Sequence, residues 1–311
     1  MSWCLGGKDL EVMDNIFLNI ADYVISVEAD KGINIQPGER FANNLKQNAT
    51  RDILIRVKRT PFMVPGKAEK VFHAPLFEER DSSLTLKDEN FWSVWKSGDD
   101  IFVRTILPYS DTMKGAVLRL TADSTAWDLY IDSPVDNIDP LSYPLDSLIL
   151  YYLTAINGDI FVHASGVTDG HSGYIFSGVS GKGKSTMAKI WNENGWKVIH
   201  DDRLIIRKRD DGYYMYNTPV YNNDTPASSL VTAGYLIEHG NDNTSSKLTG
   251  AEAVAHFISN CIQHNWNPVF TANLLSSVSG LCSSLPLARL SFVPDKRIID
   301  YILRNDKSHD K

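Results

Sequence analysis

The residues with the clearest chemistry run Gly178-Val179-Ser180-Gly181-Lys182-Gly183-Lys184-Ser185-Thr186, which satisfies G-x-x-x-x-G-K-[ST]. Glycines at this spacing let successive backbone amides turn into one concavity. The N-terminus of a following helix adds partial positive charge beneath any anion held there. In such a loop Lys184 supplies a point charge to the β- and γ-phosphates of a nucleotide, and the Ser185 hydroxyl can ligate Mg²⁺. The candidate nucleotide-binding residues are therefore Gly178, Ser180, Gly181, Lys182, Gly183, Lys184, Ser185 and Thr186.

Two acids, Asp201 and Asp202, come after the loop by one helix and one short strand. That path brings paired carboxylates back toward the loop, where one can hold Mg²⁺ and the other can accept a proton from an attacking hydroxyl. Successive strand residues point to opposite faces unless the strand ends or bulges, so the two are not equivalent, and which does which stays open. The plainer reading is a solvated strand end. With Ser185 they form the candidate metal set. His163, in IFVHASGV, lies on a strand separated from the loop's own strand by a short turn. It could donate to a phosphate or join the metal shell, against the plainer reading of a core histidine.

These groups need strands and helices to position them. YIFSG precedes the loop as a strand, TMAKIWNEN continues it as a helix, and WKVIH delivers the acids. Leu145 to Ile156 reads as an apolar helix stopped by Asn157-Gly158. LVTAGYLIE (230–238) reads as one strand, Thr249 to Glu252 as a capping box, and Val254, Phe257, Ile258, Cys261 and Ile262 as the inward face of the helix it opens. A further helix, a strand at Leu287 to Val293 and a closing helix from Pro294 to Arg304 complete this half. Before residue 140 the pattern is short strands: Ile16 to Val27, Asp52 to Lys58, Val71 to Phe77, and the hairpins FWSVWK/IFVRTIL and KGAVLRL/WDLYID. That predicts an antiparallel, meander-type domain with a helix near Glu39 to Gln47. Trp92 and Trp95 read as sheet residues before ligand-stacking ones. The proline- and aspartate-rich IDSPVDNIDPLSYP marks the boundary, giving domains at 1–140 and 141–311.

Composition agrees with a globular chain: 43% hydrophobic and 22% charged residues are enough for a core and too apolar for disorder. A net charge of -7 argues against nucleic acid or anionic lipid as a general partner. No apolar run reaches the roughly 18–20 residues a bilayer requires, and MSWCLGGKDLEV lacks a signal-peptide pattern, so the expected setting is soluble and cytoplasmic. Cys4, Cys261 and Cys282 have no metal or disulfide spacing, and two of the three sit in apolar company and read as small core residues.

FVHASGV, GYIFSGVSGKGKST and GWKVIHDDRLIIR together resemble the kinase domain of HPr kinase/phosphorylase and its HPr-kinase-like relatives, which share the phosphoenolpyruvate carboxykinase-type nucleotide-binding fold. The resemblance spans roughly residues 145 to 304. It implies that His163 lies near the phosphates and metal, that Asp201 and Asp202 serve metal binding and base catalysis, and that Lys184 and Ser185 hold ATP and Mg²⁺. The glycine-containing signature found soon after the acids in HPr kinase/phosphorylase is missing from LIIRKRDDGYYMYNTPV, which argues against HPr as the acceptor.

The expectation is an α/β (α+β) chain in which an HPr-kinase and phosphoenolpyruvate carboxykinase-like P-loop domain comes after a β-rich N-terminal domain. It would act as an ATP- and Mg²⁺-dependent phosphotransferase with Asp201, Asp202, His163 and Lys184 as catalytic residues and a hydroxyl on a protein, peptide or small molecule as acceptor. Arg203 and Arg289 are candidates for added positive charge. The alternative is a nucleotide-binding regulatory or accessory module without transfer chemistry. An oligomer is compatible with either.

Overall fold

The computed structural model describes residues 13–47, 49–60, 63–75, 90–121 and 125–306. The chain is mixed α/β and strand-rich, and it divides into two compact units. The first runs to Leu150 and includes Pro219–Thr225; the second spans Tyr151–Thr218 and resumes at Pro226. Cys4 and Phe77 lie outside the described residues.

In the first unit the run read as one strand is a hairpin, β1 (Asn15–Ile20) with β2 (Tyr23–Ala29). It turns through Ala21 and Asp22, both in the left-handed region at φ 53° and 59°. Without the glycine that usually marks such a turn, the sequence hides it. After β3 (Asn34–Ile35), the expected helix near residue 39 is a single 3-10 segment, Glu39–Asn44, which passes into β4 (Leu45–Lys46). Beyond it come β5 (Ile53–Lys58), β6 (Glu69–His73), β7 (Trp92–Ser97), β8 (Asp100–Ile106), β9 (Gly115–Leu120), β10 (Ala126–Asp132) and β11 (Asn137–Ile138).

The main sheet has the order β4-β1-β2-β5-β10-β9-β8-β7-β6. β6 to β10 form the expected meander, but β5 runs parallel to both β2 and β10, so the sheet is mixed and not antiparallel throughout. Trp92 packs against Phe91 with ring centroids 5.1 Å apart, and Trp95 lies under the Lys70 ammonium at 4.8 Å, so both serve the sheet. The returning segment is tied to the 3-10 helix: Asn43 Nδ2 donates to the Asp224 carbonyl at 2.8 Å, and Asn222 Nδ2 to Glu39 Oε2 at 3.0 Å.

The boundary falls inside α1 (Leu145–Asn157), ten residues past the sequence boundary. The second unit then contains β12 (Ile160–Thr168), β13 (Gly173–Ser177), α2 (Lys184–Glu193), β14 (Lys197–His200), β15 (Arg203–Arg209), β16 (Gly212–Asn217), β17 (Ser228–Leu230), β18 (Ala233–His239), β19 (Thr244–Leu248), α3 (Gly250–Ile258), α4 (Pro268–Ser284), β20 (Leu287–Phe292) and α5 (Arg297–Asp306). Its sheet runs β17-β16-β15-β12-β13-β18-β20-β19, with β14 also on β12. One core, including Ile160, Val162, Ile175 and Leu204, packs with Phe257, Val278 and Leu281 of α3 and α4. A second, including Phe176, Tyr235 and Phe292, packs with Trp191 of α2 and Ile298 and Ile302 of α5.

Three expectations change here. LVTAGYLIE is two strands: β17 pairs with β16 and β18 with β13. Thr249 sits at the α3 N-cap without a side-chain cap hydrogen bond, and the Glu252 carboxylate lies 3.6 Å from the Arg289 guanidinium. Helix α5 begins three residues after Pro294, with Asp295 Oδ1 accepting from the Arg297 amide at 2.9 Å.

Trp191 is fully buried between Tyr174, Phe176 and Trp196, with ring centroids 4.5–5.8 Å away. Trp191→Ala should lower the stability of the second unit by about 3–5 kcal/mol. Urea unfolding monitored by far-ultraviolet circular dichroism reads this directly, and a loss under about 1 kcal/mol would show that the second core does not depend on α2.

Candidate active site

Strand β13 is hydrophobic because both of its faces are covered, and it ends where Gly178 begins the loop. Val179, Ser180 and Gly181 are exposed, while Lys184 is only 7% exposed. Gly181 and Gly183 have φ of 82° and 92°, a region where a side chain would be strained. At Gly183 there is also no room, since a Cβ would lie 2.9 Å from both His239 Cε1 and Phe292 Cζ. Ser165, buried on β12, donates to the Lys184 carbonyl at 3.0 Å and so fastens the first turn of α2 to the sheet.

The Lys184 ammonium donates to the carbonyls of Gly178 at 2.7 Å and Val179 at 3.3 Å. Burial pushes its pKa below the ordinary lysine value, and the negative charge of Asp202 pulls in the opposite direction. A buried cation under exposed loop residues at a helix N-terminus fits a bound polyphosphate, whose charge would offset the desolvation.

The acids arrive through a two-residue interruption of one ladder. His200 of β14 pairs with Gly166 of β12, and Arg203 of β15 pairs with His163, so Asp201 and Asp202 lie where strand pairing lapses. His163 Nδ1 is 3.3 Å from Asp202 Oδ1, and Arg203 Nε donates to Asp202 Oδ2 at 2.9 Å. The hydrogen bond from His163, together with the charge of Arg203, outweighs burial and holds the Asp202 carboxyl down at about 2. The backbone amides of Asp202 and Arg203 both donate to Nδ1 of buried His200, at 3.0 and 3.1 Å. Asp201 is half-buried and makes no hydrogen bond or ion pair among the described residues.

The structure thus gathers Lys184, His163, Asp202 and Arg203 around the start of the loop. Arg289 goes elsewhere, its guanidinium 2.8 Å from His256 Nε2 on α3. Three further residues support the site without standing out in the sequence. Ser165 could have been found from its place two residues past His163, on the same strand face. His239 ends β18, the parallel neighbour of β13, and the ends of parallel strands are where ligands bind in open α/β sheets. His200 carries no sequence signal.

Among the described residues, no three His, Cys, Asp or Glu side chains group to hold a metal ion. Mg²⁺ needs no such cage, since it is commonly held by one or two carboxylates and the phosphates themselves. Ser185 and Asp202 are the residues that would complete such a site. Among the same residues, no helix is long and apolar enough to cross a membrane.

No protein-family model and no curated protein matches this chain. Among solved structures, the HPr(Ser) kinase/phosphatase from Coxiella burnetii is similar over 48% of this chain and 97% of its own length, at 10% identity and a TM-score of 0.29. A superposition at that score decides nothing about the site, whose chemistry is set by this chain's own residues.

The pKa of Asp202 sets a pH test. Its carboxyl lies below the ordinary value of 3.8, so its ion pairs stabilise the fold fully above that value and are lost as pH falls through about 2. With the side chain about a third exposed, the contribution at neutral pH is about 1–2 kcal/mol. The stability difference between the parent and Asp202→Asn should shrink as pH falls from about 4 through about 2. A difference that persists at the lowest pH would show that the ion pairs are not its source.

Proposed function

We propose that this chain is an ATP- and Mg²⁺-dependent phosphotransferase that moves the γ-phosphoryl group to a hydroxyl on a protein, peptide or small molecule other than HPr. It belongs, in this reading, with HPr-kinase-like P-loop proteins. The observation that carries it is the convergence of Asp202, His163 and Arg203 on the loop that buries Lys184. The loop amides and Lys184 bind the phosphates, and Ser185 and Asp202 hold the metal, which when bound neutralises charge on the β- and γ-oxygens.

The two acids then take different parts. Asp202, gripped by His163 and Arg203, is a weak base and suits an electrostatic role. Asp201, without a partner to satisfy, suits the proton: it accepts the acceptor's hydroxyl proton as the new O–P bond forms, the bond to the bridging oxygen breaks, and ADP leaves. His163 orients Asp202, with Nδ1 3.3 Å from its Oδ1. Most of the acceleration in such a reaction comes from positioning and charge neutralisation, which asks little more of the protein.

Titration calorimetry with Mg–ATP, ADP, GTP and pyrophosphate should show binding, and Lys184→Ala should weaken it by about tenfold to a hundredfold. Absence of binding by all four to the parent protein would overturn the reading. With an acceptor found by screening peptides, proteins and small hydroxyl compounds, Asp201→Asn should lower turnover by about 10²–10⁴ at nearly unchanged nucleotide affinity. Binding without any turnover in the parent would favour the regulatory module instead.

A further inference from the structure

We propose that His200 is a positioning residue for the acid pair, acting through a single ring nitrogen. Strand β14 stops at His200 and β15 starts at Arg203, so the amides between them leave the ladder with β12. Buried backbone N–H groups need acceptors. Here the part-buried amides of Asp202 and Arg203 share Nδ1 of the 4%-exposed His200 at 3.0 and 3.1 Å. The Ala164 amide then donates to the Asp202 carbonyl at 3.1 Å, returning the chain to β12. Because Nδ1 accepts, the ring proton of the neutral imidazole resides on Nε2.

The geometry does what an Asx turn does at a helix or loop start, with the acceptor supplied by imidazole. It fixes the peptide planes on both sides of the Asp202 Cα atom and so aims its carboxylate at His163 and Arg203. It also sets the direction in which Asp201, one residue earlier, leaves the strand. The effect of His200 on the chemistry passes through the acids, whose backbone it holds.

The inference rests on the phosphotransferase reading for its activity readout, and its test separates the two. The variants are His200→Ala, His200→Asn and His200→Gln. The Asn side-chain oxygen occupies the position of Nδ1, whereas the Gln oxygen reaches the position of Nε2. The expected order is specific: Asn keeps turnover within about threefold of the parent, while Gln and Ala lose about tenfold to a hundredfold, with nucleotide affinity little changed in all three. A space-filling role would rank Gln above Asn and would overturn the inference. If His200→Ala fails to fold, the Asn and Gln variants decide by themselves. Hydrogen exchange of the Asp202 and Arg203 amides, measured without nucleotide, should be protected in the parent and in Asn and faster in Gln. Equal protection in Asn and Gln would overturn the inference. If the parent binds no nucleotide the phosphotransferase reading falls, and amide exchange still decides the role of His200.

Discussion

Antiparallel pairing on both edges of β12 is the constraint from which the site is built. One edge takes β13, whose end becomes the glycine-rich loop; the other takes β14 and β15, which carry the acids between them. The strand itself contributes His163 to the acids and Ser165 to the first turn of α2. A shift of one residue in its register would turn both side chains to the opposite face. Both faces are packed, Val162 and Ala164 at 0% exposure on one and Phe161 at 2% and Ser165 at 0% on the other, so a shift would exchange side chains of different size and polarity within the core.

Around this frame Lys184 and Asp202 are each covered together with partners. Lys184 is covered but bonded to two carbonyls and lies within the field of Asp202; Asp202 in turn meets both a histidine and an arginine. Burying a charge is tolerable only with partners of this kind. The arrangement has a chemical corollary: an anion entering at the loop would meet groups already in place.

The parts legible in the sequence are those whose geometry is local. The nine-residue loop declares itself by spacing, and the acids by lying one helix and one strand further on. His163 is placed by a short hairpin turn. The hidden parts depend on partners distant in the chain or on local rules that tertiary contacts override. The Glu252 carboxylate of the expected capping box lies by Arg289, distant in the chain, and LVTAGYLIE is split because Leu230 and Ala233 pair with different neighbours. His200 and His239 gain their roles only from where β14 breaks and where β18 ends, and neither is written in residue type.

The seven residues Pro219–Thr225 belong to the first unit although the chain has by then made five strands of the second, β12 to β16. The order of synthesis therefore differs from the order of completion. A ribosome releases residues 1–150 first, yet the 3-10 helix at Glu39 meets its partners Asn222 and Asp224 only after the glycine-rich loop and both acids have emerged. Domains generally fold as units from the N-terminus during translation; here the earlier unit waits for the later one to be about half made. A nascent chain arrested before residue 219 would expose the Glu39–Asn44 surface that this segment covers, giving chaperones a defined interval in which to act.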